Sequence, residues 1–263
     1  MNTAVPAASA DAMIALLSPA KTLDLDTPAP FDATRPRFAD EAATLAKAAS
    51  HLSQKKLAEL MHISPALAKL NADRFHDFAH AAERPAIYTF AGDVYTGFEV
   101  ATLDEPAIRF AQDHLRLLSG LYGLLRPLDA MRPYRLEMGT RWAPRHKKLT
   151  DWWGTRIADA LAADLAEEGS GAILNLASNE YFAAVDGKLP AGTRVIAVDF
   201  READGRFISF HAKKARGTMA RWMAEHRVTD TDAMRGFDSD GYSYDAAASS
   251  DDRWTFARSG ART

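Results

Sequence analysis

The chain has 263 residues, 47% apolar and 25% charged, a composition that buries one large core and reads as a single globular domain. It contains no cysteine, which excludes disulfides, thiolate metal sites, iron–sulfur ligation and thiol peroxidase chemistry together. Net charge is −3, but the charge is distributed in blocks, and blocks bear on partners.

Residues 1–12 are Ala-rich and read as a disordered leader. Residues 1–11 carry no Lys or Arg, and the apolar run Met13–Leu17 is too short for a secretion signal. No stretch approaches the ~18 apolar residues of a membrane span, so no membrane association and a cytoplasmic location are expected. Met13–Leu17 reads as a buried strand, followed by the loop Ser18-Pro19-Ala20-Lys21-Thr22. Pro28, Pro30 and Pro36 mark an extended connection. Helices are expected over Phe38–Ala49, Ser53–Met61 and Pro65–Phe78, with Ser64 as a cap and Pro65 in the first turn.

Ala86–Phe90 reads as a strand running into a loop over Gly92–Gly97, and Pro106–Leu118 as a helix. Further on, Thr150–Glu167 and Lys214–His226 read as helices. Ala172–Leu176, Arg194–Phe200 and Arg206–His211 read as strands. The interleaving predicts an α/β to α+β fold: one compact domain over 13–263, a mixed β-sheet surrounded by helices, with no fixed-period repeat.

Two blocks are basic. Residues 111–150 hold eight Lys/Arg against three Asp/Glu, and 206–227 hold six against one. Residues 228–252 reverse the sign, with seven Asp and one Arg, an acidic flank able to shield a basic cleft. The Ser18–Thr22 loop, at a strand end, offers Lys21 and hydroxyls to a phosphate but lacks the glycines of a nucleotide-triphosphate loop. In 114–139, helical spacing puts Leu115, Leu118, Leu121 and Leu125 on a core face and Arg116, Ser119, Gly120 and Gly123 on a small stripe. Arg126, Arg132 and Arg135 follow at prolines and turns, aimed at an anion or paired with Asp129 and Glu137. Lys213, Lys214 and Arg216 crowd a helix start, where an anion would offset their conflict with the helix dipole.

Asn175–Phe182 crowds polar groups after a strand. Glu180 is a candidate acid or base there, and Ser178 a candidate cap. Asp93 and Tyr95 either line a site or form a turn. Glu59 and His62 make a single Glu-x-x-His, and His76 and His80 share a helix face without further ligands, so no metal site and no cofactor are expected.

These segments, Ser18–Asp24, Asn71–Asp77, Gly92–Gly97, His114–Gly139, Asn175–Ser178 with Glu180–Phe182, and Ala212–Gly217, together resemble the YaaA family from Met13 onward. The resemblance implies a cytoplasmic protein that protects against hydrogen peroxide by lowering free iron, with a compact mixed fold and a basic cleft. It also implies DNA binding through a helix-hairpin-helix. That element falls on 60–71, with Lys55, Lys56, Ser64 and Lys69 as phosphate contacts. Ile63-Ser64-Pro65 departs from the usual glycine-bearing hairpin, and proline removes an N–H donor.

Two functions remain open. One is a DNA-binding protein whose cleft is lined by Lys21, Arg116, Arg126, Arg132, Arg135, Lys213, Lys214 and Arg216. The other is an enzyme on a small phosphorylated or nucleotide substrate, an anionic ligand held by the same cations, with Asp93, Tyr95 or Glu180 as proton-transfer candidates.

Overall fold

The computed structural model describes residues 9–258. The chain opens with strand β1 (Ser9–Leu17) and the short β2 (Thr22–Leu23). Helices α1 (Ala39–Ser50), α2 (Gln54–Met61) and α3 (Pro65–His76) follow. Next come β3 (Arg84–Pro85), α4 (Ala86–Thr89), β4 (Phe90–Ala91), α5 (Asp93–Phe98) and α6 (Glu105–His114). The middle of the chain holds β5 (Leu115–Ser119), β6 (Gly123–Leu125), β7 (Ala130–Met131), α7 (Leu149–Trp153) and α8 (Arg156–Glu168). Then β8 (Ser170–Asn175), α9 (Asn179–Phe182), β9 (Arg194–Glu202) and α10 (Ser209–His226) lead to α11 (Thr231–Met234), β10 (Tyr242–Tyr244) and β11 (Arg253–Arg258).

Seven strands form one sheet in the order β10-β11-β9-β8-β1-β5-β6. It is mostly parallel, with antiparallel pairing at the two edges, β5–β6 and β10–β11. Met13 to Leu17 of β1 have no exposed surface, because helices cover both faces of a central parallel strand. Helices surround the sheet, as expected for a mixed α/β domain. Among the described residues no helix is long and apolar enough to cross a membrane.

Local chemistry explains the best-read elements. Ser53 Oγ accepts the Lys56 N–H at 3.2 Å and Ser64 Oγ accepts the Leu67 N–H at 3.3 Å, so both hydroxyls cap helices. His62, in the left-handed region at φ 51, ends α2 and makes the turn into Pro65 tight. These two helices pack on each other, and α3 packs against α1.

Several expectations are corrected. β1 begins at Ser9, so strand replaces the expected leader from that point; residues 1–8 lie outside the described ones. Ala86–Thr89 is a buried helical turn, with Thr89 Oγ1 bonded to Pro85 O at 2.8 Å; a short apolar run reads alike as strand or helix. The helix expected over 106–118 stops at His114, and 115–125 forms the β5–β6 hairpin. Its leucines mimic helical spacing because every residue of both strands is buried, which removes the strand alternation. The strand expected over 206–211 is a turn at Gly205 (φ 80) followed by the start of α10.

The segment 92–97, expected as a loop, is the helix α5, and its glycine has a packing role. A Cβ on Gly97 would lie 2.1 Å from Lys214 O, and one on Gly217 would lie 1.7 Å from Val94 O. Helices α5 and α10 therefore touch backbone to backbone. Elsewhere in a helix Gly→Ala stabilises by about 1 kcal/mol. Here Gly217→Ala must push two backbones apart, and we expect it to destabilise by about 3 kcal/mol, read as a lower urea midpoint at unchanged slope.

Candidate anion-binding site

The connection leaving β1 leads to β5 on one side, whereas the connection leaving β8 leads to β9 on the other. Loops diverging from neighbouring parallel strands open a crevice at their carboxyl ends, where α/β proteins place ligands. Here the two loops are tied together: Ser18 Oγ accepts the Ser178 N–H at 2.8 Å and donates to Ser178 Oγ at 3.3 Å. Ser178 precedes α9 as expected, but its side chain serves this inter-loop tie and makes no cap bond.

The crevice is a cavity of about 410 Å³ whose wall includes Lys21, Asp93, Tyr95, Glu180, Lys213 and Arg216. The close α5–α10 crossing puts Asp93 and Tyr95 opposite Lys213 and Arg216. Lys213 Nζ lies 3.6 Å from Asp93 Oδ2, a half-exposed pair that contributes little to stability and is free to exchange for a ligand. Arg216 is different. Burial pushes its guanidinium pKa down, with Asp199 opposing the shift, and its buried Nε has no hydrogen-bond partner among the described residues.

A second cavity, about 550 Å³, continues from the first and shares Lys21 and Glu180 with it. It adds Lys56 and His62 from the α2–α3 pair, together with Glu137 and Arg141. Glu180 Oε1 accepts the Gly139 N–H at 3.2 Å, and a Cβ on Gly139 would lie 2.9 Å from that oxygen. Glu137 is the buried anion of the cleft. Its Oε1 takes Arg135 at 2.9 Å and Lys21 at 3.5 Å, while Oε2 is buried without a partner among the described residues.

The structure thus brings together Lys21, Lys213 and Arg216, with Arg135 beneath Lys21, but scatters the remaining cations. Arg116 is buried on Asp164 at 2.6 Å, and removing one member of such a pair costs about 3–5 kcal/mol. Arg126 holds Asp129 at 3.2 Å. Arg132 pairs with Glu83 at 3.0 Å and lies 5.6 Å from the Phe78 ring centre. Lys214 is taken by Asp240 of the acidic segment at 2.9 Å. A single cleft holding all eight expected cations is therefore corrected to a smaller set, because buried or nearby carboxylates hold the others elsewhere.

On the helical pair, Lys56 faces Glu59 at 3.8 Å and Lys69 faces Asp73 at 2.7 Å, and the Ser64 hydroxyl is used by its cap bond. Lys55 has no ion pair among the described residues. His62, weighed in the sequence only as half of a Glu-x-x-His metal pair, lines the second cavity instead, and Arg141 is signalled in the sequence only by the basic block at 111–150. No group of three or more His, Asp or Glu side chains among the described residues is placed to hold a metal ion.

Tyr95 anchors the site. Its hydroxyl donates to Ser18 O at 3.0 Å, and burial raises its pKa well above 10, as it does for Tyr181. Tyr122, on the neighbouring aromatic cluster, is pushed up to about 12 by burial. In each case the folded value exceeds the unfolded one, so the stability contributed is complete below pH 10 and lost as pH rises beyond it. Tyrosinate absorbance should therefore lag behind that of free tyrosine and rise together with the loss of helical circular dichroism. Full ionisation of the buried tyrosines in the folded protein would contradict this.

Comparison with known proteins places this geometry in a family. Residues 13–248 match the family model described as Peroxide stress protein YaaA. A UPF0246 protein of Rhizorhabdus wittichii is 62% identical over 251 residues, covering 94% of this chain and 99% of the relative. A UPF0246 protein of Bordetella pertussis is 48% identical over 254 residues, with the same coverage of both chains. One from Idiomarina loihiensis is 47% identical, covering 94% of this chain and 98% of the relative. With the match running through the Ser18 loop, α5, the Glu180 loop and the start of α10, the chain belongs to the YaaA family of peroxide stress proteins.

Proposed function

We propose that this protein acts in the cytoplasm during peroxide stress, where it limits free iron, and that it limits oxidative damage to DNA by holding nucleic-acid phosphates in the cleft. The observation that carries this reading is Arg216: a desolvated guanidinium with an unpartnered Nε beside Lys213 and Lys21. A buried polar group without a partner is costly, and an anionic oxygen supplies the missing acceptor. Lys56 and Arg141 extend the same wall toward the α2–α3 pair, whose Lys55 and Lys69 would meet the backbone on either side of it as a helix-hairpin-helix-like element. Protein cations seated on phosphates displace the cations condensed there, which keeps ferrous iron off the DNA rather than lowering its free concentration. Without cysteine, protection by this route needs no thiol chemistry.

A second reading has its own support. The cavity volume of about 410 Å³ and the buried Oε2 of Glu137 in the adjoining cavity suit an enzyme on a small phosphorylated or nucleotide substrate, with Glu180 or Asp93 moving a proton. Duplex binding followed by fluorescence anisotropy across a salt series separates the two. For DNA binding, log affinity falls with log salt by about 0.9 per phosphate contact, and Arg216→Ala or Lys213→Ala reduces that slope by about 1. A slope near zero, or slopes unchanged in both variants, would refute the nucleic-acid reading.

A further inference from the structure

Four arginines meet at a cavity that shares no lining residue with the cleft. It measures about 240 Å³ and lies beside β6, with Arg35, Arg37, Arg116 and Arg126 around Asp129 and Asp164. Backbone bonds build it. The Thr34 N–H donates to Leu128 O at 2.8 Å and the Ala130 N–H to Thr34 O at 2.7 Å, pinning the segment that carries Arg35 and Arg37 to the turn that carries Arg126.

Both carboxylates are already saturated. Asp164 accepts Arg37 on Oδ1 and Arg116 Nε on Oδ2, the latter at 2.6 Å. Asp129 accepts Thr34 Oγ1 at 2.6 Å and Arg126 Nη2 at 3.2 Å on Oδ1, and the Arg126 N–H at 2.8 Å on Oδ2. Four guanidiniums against two carboxylates leave an excess of two positive charges in the wall. Asp40, which pairs with Arg35, is 89% exposed and outside the lining. The Arg116 side chain is 4% exposed. Its Nε is used by Asp164 and its Nη1 by the carbonyls of Gln112, Asp113 and Leu115. Arg116 nevertheless contributes to the cavity wall.

We infer that this cavity binds a phosphate dianion, either inorganic phosphate or the end of a small phosphate monoester. Guanidinium forks match phosphate oxygens in pairs, and a dianion balances the two-charge excess. A nucleic-acid phosphodiester carries one negative charge and leaves one of the two unbalanced. The site is separate from the cleft in residues and ligand.

The full-length protein is titrated with inorganic phosphate, and separately with phenyl phosphate, at constant chloride. Binding is followed by the arginine Nε–Hε resonances, assigned with Arg126→Lys and Arg37→Lys. We expect saturable shifts at Arg37, Arg116 and Arg126. Arg35→Glu, which reverses one charge near the dianion, should weaken binding about tenfold. Tighter binding of phenyl phosphate assigns a monoester as the ligand, and equal or weaker binding assigns free phosphate. Arg35 is 77% exposed, so its variant carries the test even where a lysine variant fails to fold. Shifts confined to Arg216, no difference between phosphate and chloride, undiminished affinity in Arg35→Glu, or displacement of phosphate by a duplex without terminal phosphates would each overturn the inference.

Discussion

The backbone contact between α5 and α10 at Gly97 and Gly217 is the constraint on which the cleft depends. Neither position has room for a Cβ, so the helices approach more closely than side chains ordinarily permit. That approach puts Asp93 and Tyr95 of one helix opposite Lys213 and Arg216 of the other, above the point where the connections of β1 and β8 diverge. Tyr95 then reaches Ser18 O, and Ser18 reaches Ser178. One steric fact about two glycines thus propagates through two hydrogen bonds to the loops of two strands, and a fixed wall for a ligand results.

Electrostatics divides the arginines according to what holds them. Arg116 lies against a carboxylate buried in the same core, and Arg126 reaches one from a half-exposed position. Both support the framework and line the separate cavity beside β6. Arg216 has burial without a contacting anion, which is the condition under which a ligand gains most from arriving. Lys21 and Arg135 share one oxygen of Glu137, so the cleft mixes both signs of charge.

The sequence exposed those parts of the fold whose determinants are local. Ser53, Ser64 and Pro65 mark α2 and α3 through capping chemistry, and continuous apolar runs mark β1, β8 and β9. The β5–β6 hairpin was hidden because a strand buried on both faces loses its alternation, and leucines at 115, 118, 121 and 125 then imitate a helix. Helix α5 was hidden because its Gly97 answers to α10, far along the chain. In the site, Lys21, Glu180, Lys213 and Arg216 were legible as charged groups at strand ends and a helix start. The dispersal of Arg116, Arg132 and Lys214 was not, since it depends on Asp164, Glu83 and Asp240, whose proximity only the tertiary fold creates.

We propose that the crevice at the carboxyl ends of β1 and β8 holds nucleic-acid phosphate. The most direct test is the Arg216 Nε–Hε resonance during titration with a short DNA duplex. A saturable shift of that signal is expected, with Lys213 and Lys21 responding in parallel, as the guanidinium gains its missing acceptor. Saturable binding that perturbs only the α2–α3 pair, with Arg216 unmoved, would contradict it.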